Sequence, residues 1–182
     1  SGCGGKPEPL PLEELPQAYS LEQAKAAFFL KRCQLFSANE IYLRGVAAMI
    51  VSANNTYELL PEVISYRPVY AYTSRENASL RIIIKWIFNA LSLAEETGIT
   101  SKNIDAFIGV TNGSTRNLLG IDPQLWESYG LHPQWVRQVI KELGNFGEIY
   151  ERNLGQDSEY KIAREKNNLV QNNGLIIAKP FF

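Results

Sequence analysis

The feature that most constrains the fold is one long apolar helix near the middle of the chain. Residues 77–96 carry apolar side chains at intervals of three and four, the spacing that places them on one face of an α-helix. That face comprises Leu80, Ile83, Ile84, Ile87, Leu91 and Ala94. Ile82, Trp86 and Leu93 widen it, so we expect this helix to be largely buried. Gly98 is positioned to end the helix as a C-terminal cap.

The composition is typical of a folded protein. Of 182 residues, 45% are hydrophobic and 20% are charged, whereas a disordered chain has fewer apolar residues and more net charge. The formal net charge is −1, so no basic excess is present to neutralise the phosphates of a nucleic acid. The longest apolar stretch, residues 82–94, is interrupted by polar residues and is shorter than the about 20 residues that span a bilayer.

Proline sets the N-terminal region apart. Residues 1–19 hold four of the nine prolines and predict a Pro/Gly-rich tether, followed by one domain over residues 20–182. Within the tether, Ser-Gly-Cys resembles the end of a bacterial lipoprotein signal, which makes Cys3 a candidate lipidation site; a loop cysteine or a tag remnant is the alternative. A disulfide to Cys33 is not favoured because Cys3 lies in the tether, and two cysteines this far apart form no zinc site.

Helix and strand signals alternate in the first part of the domain. Residues 20–23 and 37–40 each have the pattern of a capping box, which predicts a helix beginning at both places. Residues 33–36, 57–61 and 68–73 are short and rich in β-forming residues, which predicts strands. This alternation predicts an α/β arrangement.

The remainder of the chain predicts short helices separated by turns. The predicted helices cover residues 100–108, 133–143 (ended by Gly144), 147–153 and 161–170. Residues 175–178 predict either a final strand or an apolar clamp.

No catalytic constellation is recognisable. The single histidine, His132, precedes Pro133 at a predicted helix start, where a capping or surface role is favoured over catalysis. Glu95 and Glu96 project about 100° apart on a helix, so they predict a solvated helix end and no acid/base pair. Neither a phosphate loop nor a metal-ligand motif is present. The sequence therefore predicts a protein that is not an enzyme and uses no cofactor or metal.

Some aromatic residues are candidates for a partner-contact surface, because aromatic side chains dominate the energetics of many interfaces. These are Tyr70, Tyr72, Trp126 and Trp135. Ordinary packing is the alternative for each of them.

Several strings resemble the periplasmic general amino-acid-binding proteins of ABC transporters. They include Leu-Leu-Pro-Glu-Val-Ile-Ser at residues 59–65, Arg-Asn-Leu-Leu-Gly at 116–120 and Gly-Asn-Phe-Gly-Glu-Ile-Tyr-Glu-Arg-Asn-Leu-Gly at 144–155, with further similarity within residues 84–100 and 174–180. The resemblance extends over residues 21–180 and covers the C-terminal half of that family. It implies a type II, two-lobe α/β fold that clamps a ligand between its lobes. Here that fold is incomplete and helix-rich, with residues 78–182 as the outer part of lobe one.

The resemblance also implies candidate ligand residues. The family has Thr-Thr-Asp where this sequence has Ser37-Ala38-Asn39, and the family's aspartate holds the ligand's α-ammonium group. Ser37 and Asn39 are therefore the predicted ligand residues. Asn39 is neutral, so an ammonium bound there lacks its charge partner.

These features lead to two hypotheses. The first is a truncated, extracytoplasmic relative that has lost amino-acid binding. It serves as a docking or accessory subunit of a membrane protein complex or an ABC transporter permease, in the periplasm or an equivalent lumen, with Cys3 as a lipid anchor. The second is an amino-acid-binding component of an ABC transporter.

Overall fold

The computed structural model describes residues 20–50, 57–109, 113–120 and 124–180. The α-helices in these parts are α1 (Leu21–Phe29), α2 (Glu40–Ile50), α3 (Ala78–Glu96), α4 (Gly113–Leu118), α5 (Gln124–Glu127), α6 (Trp135–Leu143) and α7 (Phe146–Asn153). Single 3-10 turns cover Ile104–Phe107, Glu165–Asn167 and Val170–Asn172. The β pairing found in the described residues is one parallel bridge between Leu169 and Ile176.

The chain divides into two compact units between Leu59 and Leu60, a division that was not predicted from the sequence. The first unit contains α1 and α2. The capping box predicted at Ser20 is confirmed: Ser20 Oγ accepts from the Gln23 N–H (3.3 Å) and Gln23 Oε1 accepts from the Ser20 N–H (3.0 Å). None of the described side chains of this unit is buried.

The capping box predicted at residues 37–40 is wrong. Helix α2 begins at Glu40, and Asn39 Oδ1 accepts from the Ile41 N–H at 3.0 Å. The Asn39 carbonyl accepts from the Leu43 N–H at 3.0 Å, which makes it the acceptor of the first helical hydrogen bond. Asparagine is at least as good an N-cap as serine, so Asn39 takes the role that the sequence pattern assigned to Ser37.

The second unit is organised around α3, as the apolar face predicts. Asn77 caps α3 by accepting from the Leu80 N–H (2.9 Å), and the helix runs to Glu96. Its C-terminal half packs against α6 and α7, and α6 also contacts the turn Ile104–Phe107. The buried core consists of Ala90, Leu91, Leu93, Ala94, Ile99, Ile104, Leu118, Leu119, Trp126, Trp135, Val136 and Ile140. The N-terminal half of α3 is only partly covered, and Leu80 and Phe88 are exposed.

Helices α6 and α7 confirm the predicted helices at 133–143 and 147–153, and Gly144 ends α6 with φ 85°. The helix predicted at 161–170 is wrong. Lys161 and Glu165 have φ values of 51° and 40°, which a continuous α-helix does not accommodate, and the short 3-10 turn Glu165–Asn167 lies in this range instead. The helix predicted at 100–108 shrinks to the turn Ile104–Phe107.

The predicted strands at 33–36, 57–61 and 68–73 are wrong as well. The described residues provide no neighbouring strand for them, and they are neither helical nor paired. Side-chain composition favours a strand, but a strand exists only when a second one satisfies its backbone groups. At the C-terminus, Ile176 forms the bridge to Leu169, and Asn89 of α3 holds Lys179 by donating to its carbonyl (2.8 Å) and accepting from its N–H (2.6 Å).

Candidate functional site

The predicted ligand residues lie at the start of α2. Ser37 and Asn39 are exposed, and Asn39 Oδ1 already accepts the Ile41 N–H. The carboxylate nearest in sequence, that of Glu40, forms an ion pair with Arg44 at 2.8 Å. Residues 37–40 therefore offer polar oxygens but no unpaired carboxylate to a cationic group.

A second polar group in the same unit joins α1 to α2. The Tyr42 hydroxyl donates to Glu22 Oε1 (2.7 Å), and Lys25 pairs with Glu22 while its ammonium lies 5.7 Å from the Tyr42 ring centroid. The hydrogen bond from Lys25, followed by that from Tyr42, holds the pKa of Glu22 below its usual value. Glu22 is thus used to connect two helices.

The structure separates the four predicted partner-contact residues into two pairs. Trp126 and Trp135 are 1% and 8% exposed, and Trp126 forms T-shaped contacts with both Trp135 and Trp86. They are core residues here, contrary to the expectation of an exposed surface. Tyr70 and Tyr72 are 68% and 92% exposed. The local sequence does not show that the tryptophans are buried and the tyrosines exposed, because each tryptophan is covered by helices distant in sequence.

The exposed tyrosines belong to a longer stretch, residues 60–73, which we call the open segment. Among the described residues, no backbone hydrogen bond involves this segment. Its one hydrogen bond to the rest of the described chain runs from the Tyr66 hydroxyl to Glu165 Oε2 at 3.4 Å. Its exposed apolar side chains are Leu60, Val63, Ile64, Tyr66, Val69, Tyr70 and Tyr72.

A groove lies between the open segment and the N-terminal half of α3. Its volume is about 370 Å³, and Val69, Tyr70 and two α3 side chains, Ile84 and Phe88, form its apolar lining. Arg81 and Lys85 of α3 also line it. The groove therefore combines an apolar surface with two cations.

The longest family-like string, residues 144–155, builds the junction between α3 and α7. Asn145 caps α7, and its side-chain amide donates to the Ile99 carbonyl at 2.8 Å. The Glu148 carboxylate accepts from the Ser101 N–H (3.0 Å), the Ser101 hydroxyl (2.6 Å) and the Asn145 N–H (2.9 Å). Burial by itself raises the pKa of Glu148, but these hydrogen bonds outweigh it and hold the pKa below its usual value. We call these contacts the Glu148 network.

An ion pair lies beside this network. Arg164 pairs with Glu95, their side chains are 11% and 13% exposed, and the guanidinium stacks on the Phe146 and Tyr150 rings at 5.5 and 5.6 Å. A Cβ at Gly147 would lie 2.9 Å from Glu95 Oε1, so a larger residue there would displace the ion pair. The expectation that Glu95 forms a solvated helix end is therefore wrong. Its partner is 69 residues away in sequence, which explains why no local pattern indicates it.

The other sequence candidates have modest roles. His132 is exposed, and its Nδ1 accepts from the Gln134 N–H at 3.2 Å just before α6. Cys33 is a free, exposed thiol, whereas Cys3 lies outside the described residues. Within the described ranges, no group of three or more His, Cys, Asp and Glu residues is arranged to hold a metal ion. No helix in those ranges has the length and apolar character needed to span a membrane.

Comparison with known proteins supplies relatives. The chain is 34% identical over 165 residues to the general L-amino acid-binding periplasmic protein AapJ of Rhizobium johnstonii. The matched residues cover 88% of this chain and 48% of AapJ. It is also 34% identical over 160 residues to the glutamate/glutamine/aspartate/asparagine-binding protein BztA of Rhodobacter capsulatus, covering 87% of this chain and 47% of BztA. No protein-family profile matches the chain.

A solved structure agrees with these relatives. The ABC transporter periplasmic binding protein of Brucella ovis, determined with glutathione bound, superposes with a TM-score of 0.75 and 34% identity over 90% of this chain and 51% of that protein. The fold is an incomplete, helix-rich part of the type II periplasmic solute-binding fold, as the sequence predicted. The chain is a homologue of the amino-acid-binding proteins of ABC transporters and spans about half the length of the curated relatives that it matches.

Proposed function

We propose that this chain is an extracytoplasmic solute-binding component of an amino-acid ABC transporter. The observation that carries the proposal is the 34% identity over 165 residues to a general L-amino acid-binding protein. The relatives share one ligand group, because glutathione carries a free α-ammonium and α-carboxylate at its γ-glutamyl end, as an amino acid does. The ligand class that we propose is therefore compounds with a free α-amino-acid group.

In this proposal Ser37 and Asn39 contribute the part of the ligand site that this chain holds. An amide oxygen has two lone pairs, so Asn39 Oδ1 is able to accept an ammonium N–H besides that of Ile41. A hydrogen bond to a neutral oxygen is weaker than one to a carboxylate. Asn39→Asp is accordingly expected to strengthen binding of the ammonium group.

A thermal-shift titration with glutamate, glutamine and glutathione tests the function. At 100 times its dissociation constant, a bound ligand adds about 2.7 kcal/mol of stability. Glutarate, which is glutamate without the amino group, is the control ligand and is expected to give no shift. Asn77→Asp is the matched control variant, since Asn77 is likewise an asparagine N-cap, that of α3. It is expected to leave the ligand shifts unchanged, whereas Asn39→Asp increases them.

A second candidate function is a docking or accessory subunit that binds no amino acid. The observations that favour it are the exposure of Val69 and Tyr72, 97% and 92%, and the absence of an unpaired carboxylate among residues 37–40. It predicts no shift with any ligand, no effect of Asn39→Asp, and co-purification with the transporter's membrane subunits. A ligand shift that glutarate does not reproduce contradicts it.

A further inference from the structure

We propose that the groove between the open segment and α3 is a second ligand site, which binds a small anionic amphiphile, namely a carboxylate attached to an apolar chain. This inference goes beyond the proposed function, because Ser37 and Asn39 contribute nothing to the groove. The observations behind it are the concave apolar lining of the groove and two cations on its helical wall that the described chain does not neutralise.

The helical wall of the groove carries positive charge without a counterion. Arg81 and Lys85 lie one turn apart on α3, so their like charges repel each other. Neither side chain forms an ion pair within the described residues, and the acidic residue nearest in sequence, Glu76, pairs with neither of them. Arg81 also lies close to the start of α3, where the helix dipole disfavours a cation, and the first turn contains no acidic residue. A bound anion offsets both effects.

The neighbouring sequence favours an anion as well. Residues 63–75 contain two arginines, Arg67 and Arg75, and no acidic residue. In the whole chain, by contrast, acidic residues slightly outnumber lysine and arginine, 19 to 18. The segment that forms one wall of the groove is therefore more basic than the chain as a whole, which attracts an anionic ligand toward it.

The rest of the lining is suited to an apolar chain. Ile84 and Phe88 lie one turn apart on α3, and Val69 and Tyr70 belong to the wall that the open segment forms. Phe88 and Val69 are 53% and 97% exposed, so a chain that lies along the groove removes apolar surface from water. The volume is about 370 Å³. Since a water molecule occupies about 30 Å³ in the liquid, this volume holds about a dozen water-sized groups, which is the size of decanoate.

A free amphiphile fits the groove better than a membrane surface does. A concave groove receives a single chain, whereas a flat bilayer contacts only protruding side chains. The backbone of the open segment has no hydrogen-bond partner among the described residues. Unpaired backbone groups are costly in hydrocarbon, so insertion of this segment into a bilayer is disfavoured.

Isothermal titration calorimetry of the full chain with decanoate, kept below its micellar concentration, tests the inference. Decanol, which has the same chain without the charge, and decyltrimethylammonium, which has the opposite charge, are the control ligands. We expect one decanoate to bind per chain, at least tenfold more tightly than decanol, and decyltrimethylammonium not to bind. The affinity for decanoate should fall as the salt concentration rises, because salt screens charges near the surface.

Variants then test the residues. The double variant Arg81→Gln and Lys85→Gln is expected to weaken decanoate binding at least tenfold, and Phe88→Ala at least threefold. Lys166→Gln and Leu175→Ala are the matched controls, since both residues are exposed and lie outside the groove. They are expected to change the affinity less than twofold. Far-UV circular dichroism checks that each variant retains its helices.

Four results would overturn the inference. They are no binding of decanoate at millimolar concentration, equal affinities for decanoate and either control ligand, and a double variant that binds decanoate as the wild type does. The fourth is binding to phosphatidylglycerol vesicles without binding of free decanoate, which would assign this face to a membrane surface instead.

Discussion

The Glu148 network and the open segment belong to the same unit, and both contain strings that resemble the family. They differ in how many contacts they make with the rest of the described chain. In the Glu148 network, each of the hydrogen-bond donors around the carboxylate has its acceptor, and Arg164 and Glu95 neutralise each other beside it. In the open segment, the described chain offers no backbone partner, and Val69 is 97% exposed.

This difference gives the two strings different meanings. Residues 144–155 are explained by the contacts that hold this half of the fold together: an N-cap, a buried carboxylate and a glycine that approaches an ion pair. Residues 60–73, by contrast, make few contacts with the other described residues, so the contacts within this chain do not account for their sequence. Contacts within this chain therefore account for the first string, whereas the described residues supply few such contacts for the second.

The largest effect is expected from Trp126→Ala. Trp126 is 1% exposed and packs edge-on against Trp86 and Trp135, so its removal leaves a cavity that rigid neighbours cannot fill. We expect the free energy of unfolding to fall by about 3–5 kcal/mol, measured by urea denaturation followed by far-UV circular dichroism. Tyr70→Ala, in the open segment, is the aromatic control. A loss below about 1 kcal/mol for Trp126→Ala would contradict the packed core.

A smaller, pH-dependent effect is expected from Glu148→Gln. The glutamine amide N–H would face the N–H and O–H groups that now donate hydrogen bonds to the carboxylate. The free energy of unfolding should therefore fall by about 1–3 kcal/mol at pH 7. The pKa of Glu148 is lowered in the folded state, so its ionised form stabilises the protein above its unfolded value of 4.5. The stabilisation is lost as the pH falls through the folded-state pKa.

The difference between wild type and Glu148→Gln should therefore be largest near neutral pH and shrink below pH 4.5, in denaturation series between pH 3 and 7. Glu142→Gln is the control, since Glu142 is an exposed glutamate of α6. A difference that stays constant across this range would show that the charge of Glu148 is not what the network uses.

The sequence predicts features that depend on near neighbours. The cap at Ser20, the helix over residues 77–96 and the end of α6 at Gly144 follow from nearby residues, and all three are present. The strands are wrong because a strand needs a partner that local composition does not supply. The burial of Trp126 and the pairing of Glu95 with Arg164 depend on contacts between distant segments. At the candidate ligand site, the resemblance indicated Asn39, but its use as the α2 cap emerged only with the helix boundary.

The smallest effect is expected from Val69→Ser, and its comparison with Val136→Ser is the sharpest test of the contrast. Val136 of α6 is 1% exposed and Val69 of the open segment is 97% exposed. Val136→Ser should lower the free energy of unfolding by about 2 kcal/mol or more, because it removes buried methyl groups and buries a hydroxyl. Val69→Ser should change it by less than about 0.5 kcal/mol, as substitutions at solvated positions do. Both are measured by urea denaturation of the chain alone. If Val69→Ser costs more than about 1 kcal/mol, the open segment packs within this chain and the contrast with the core does not hold.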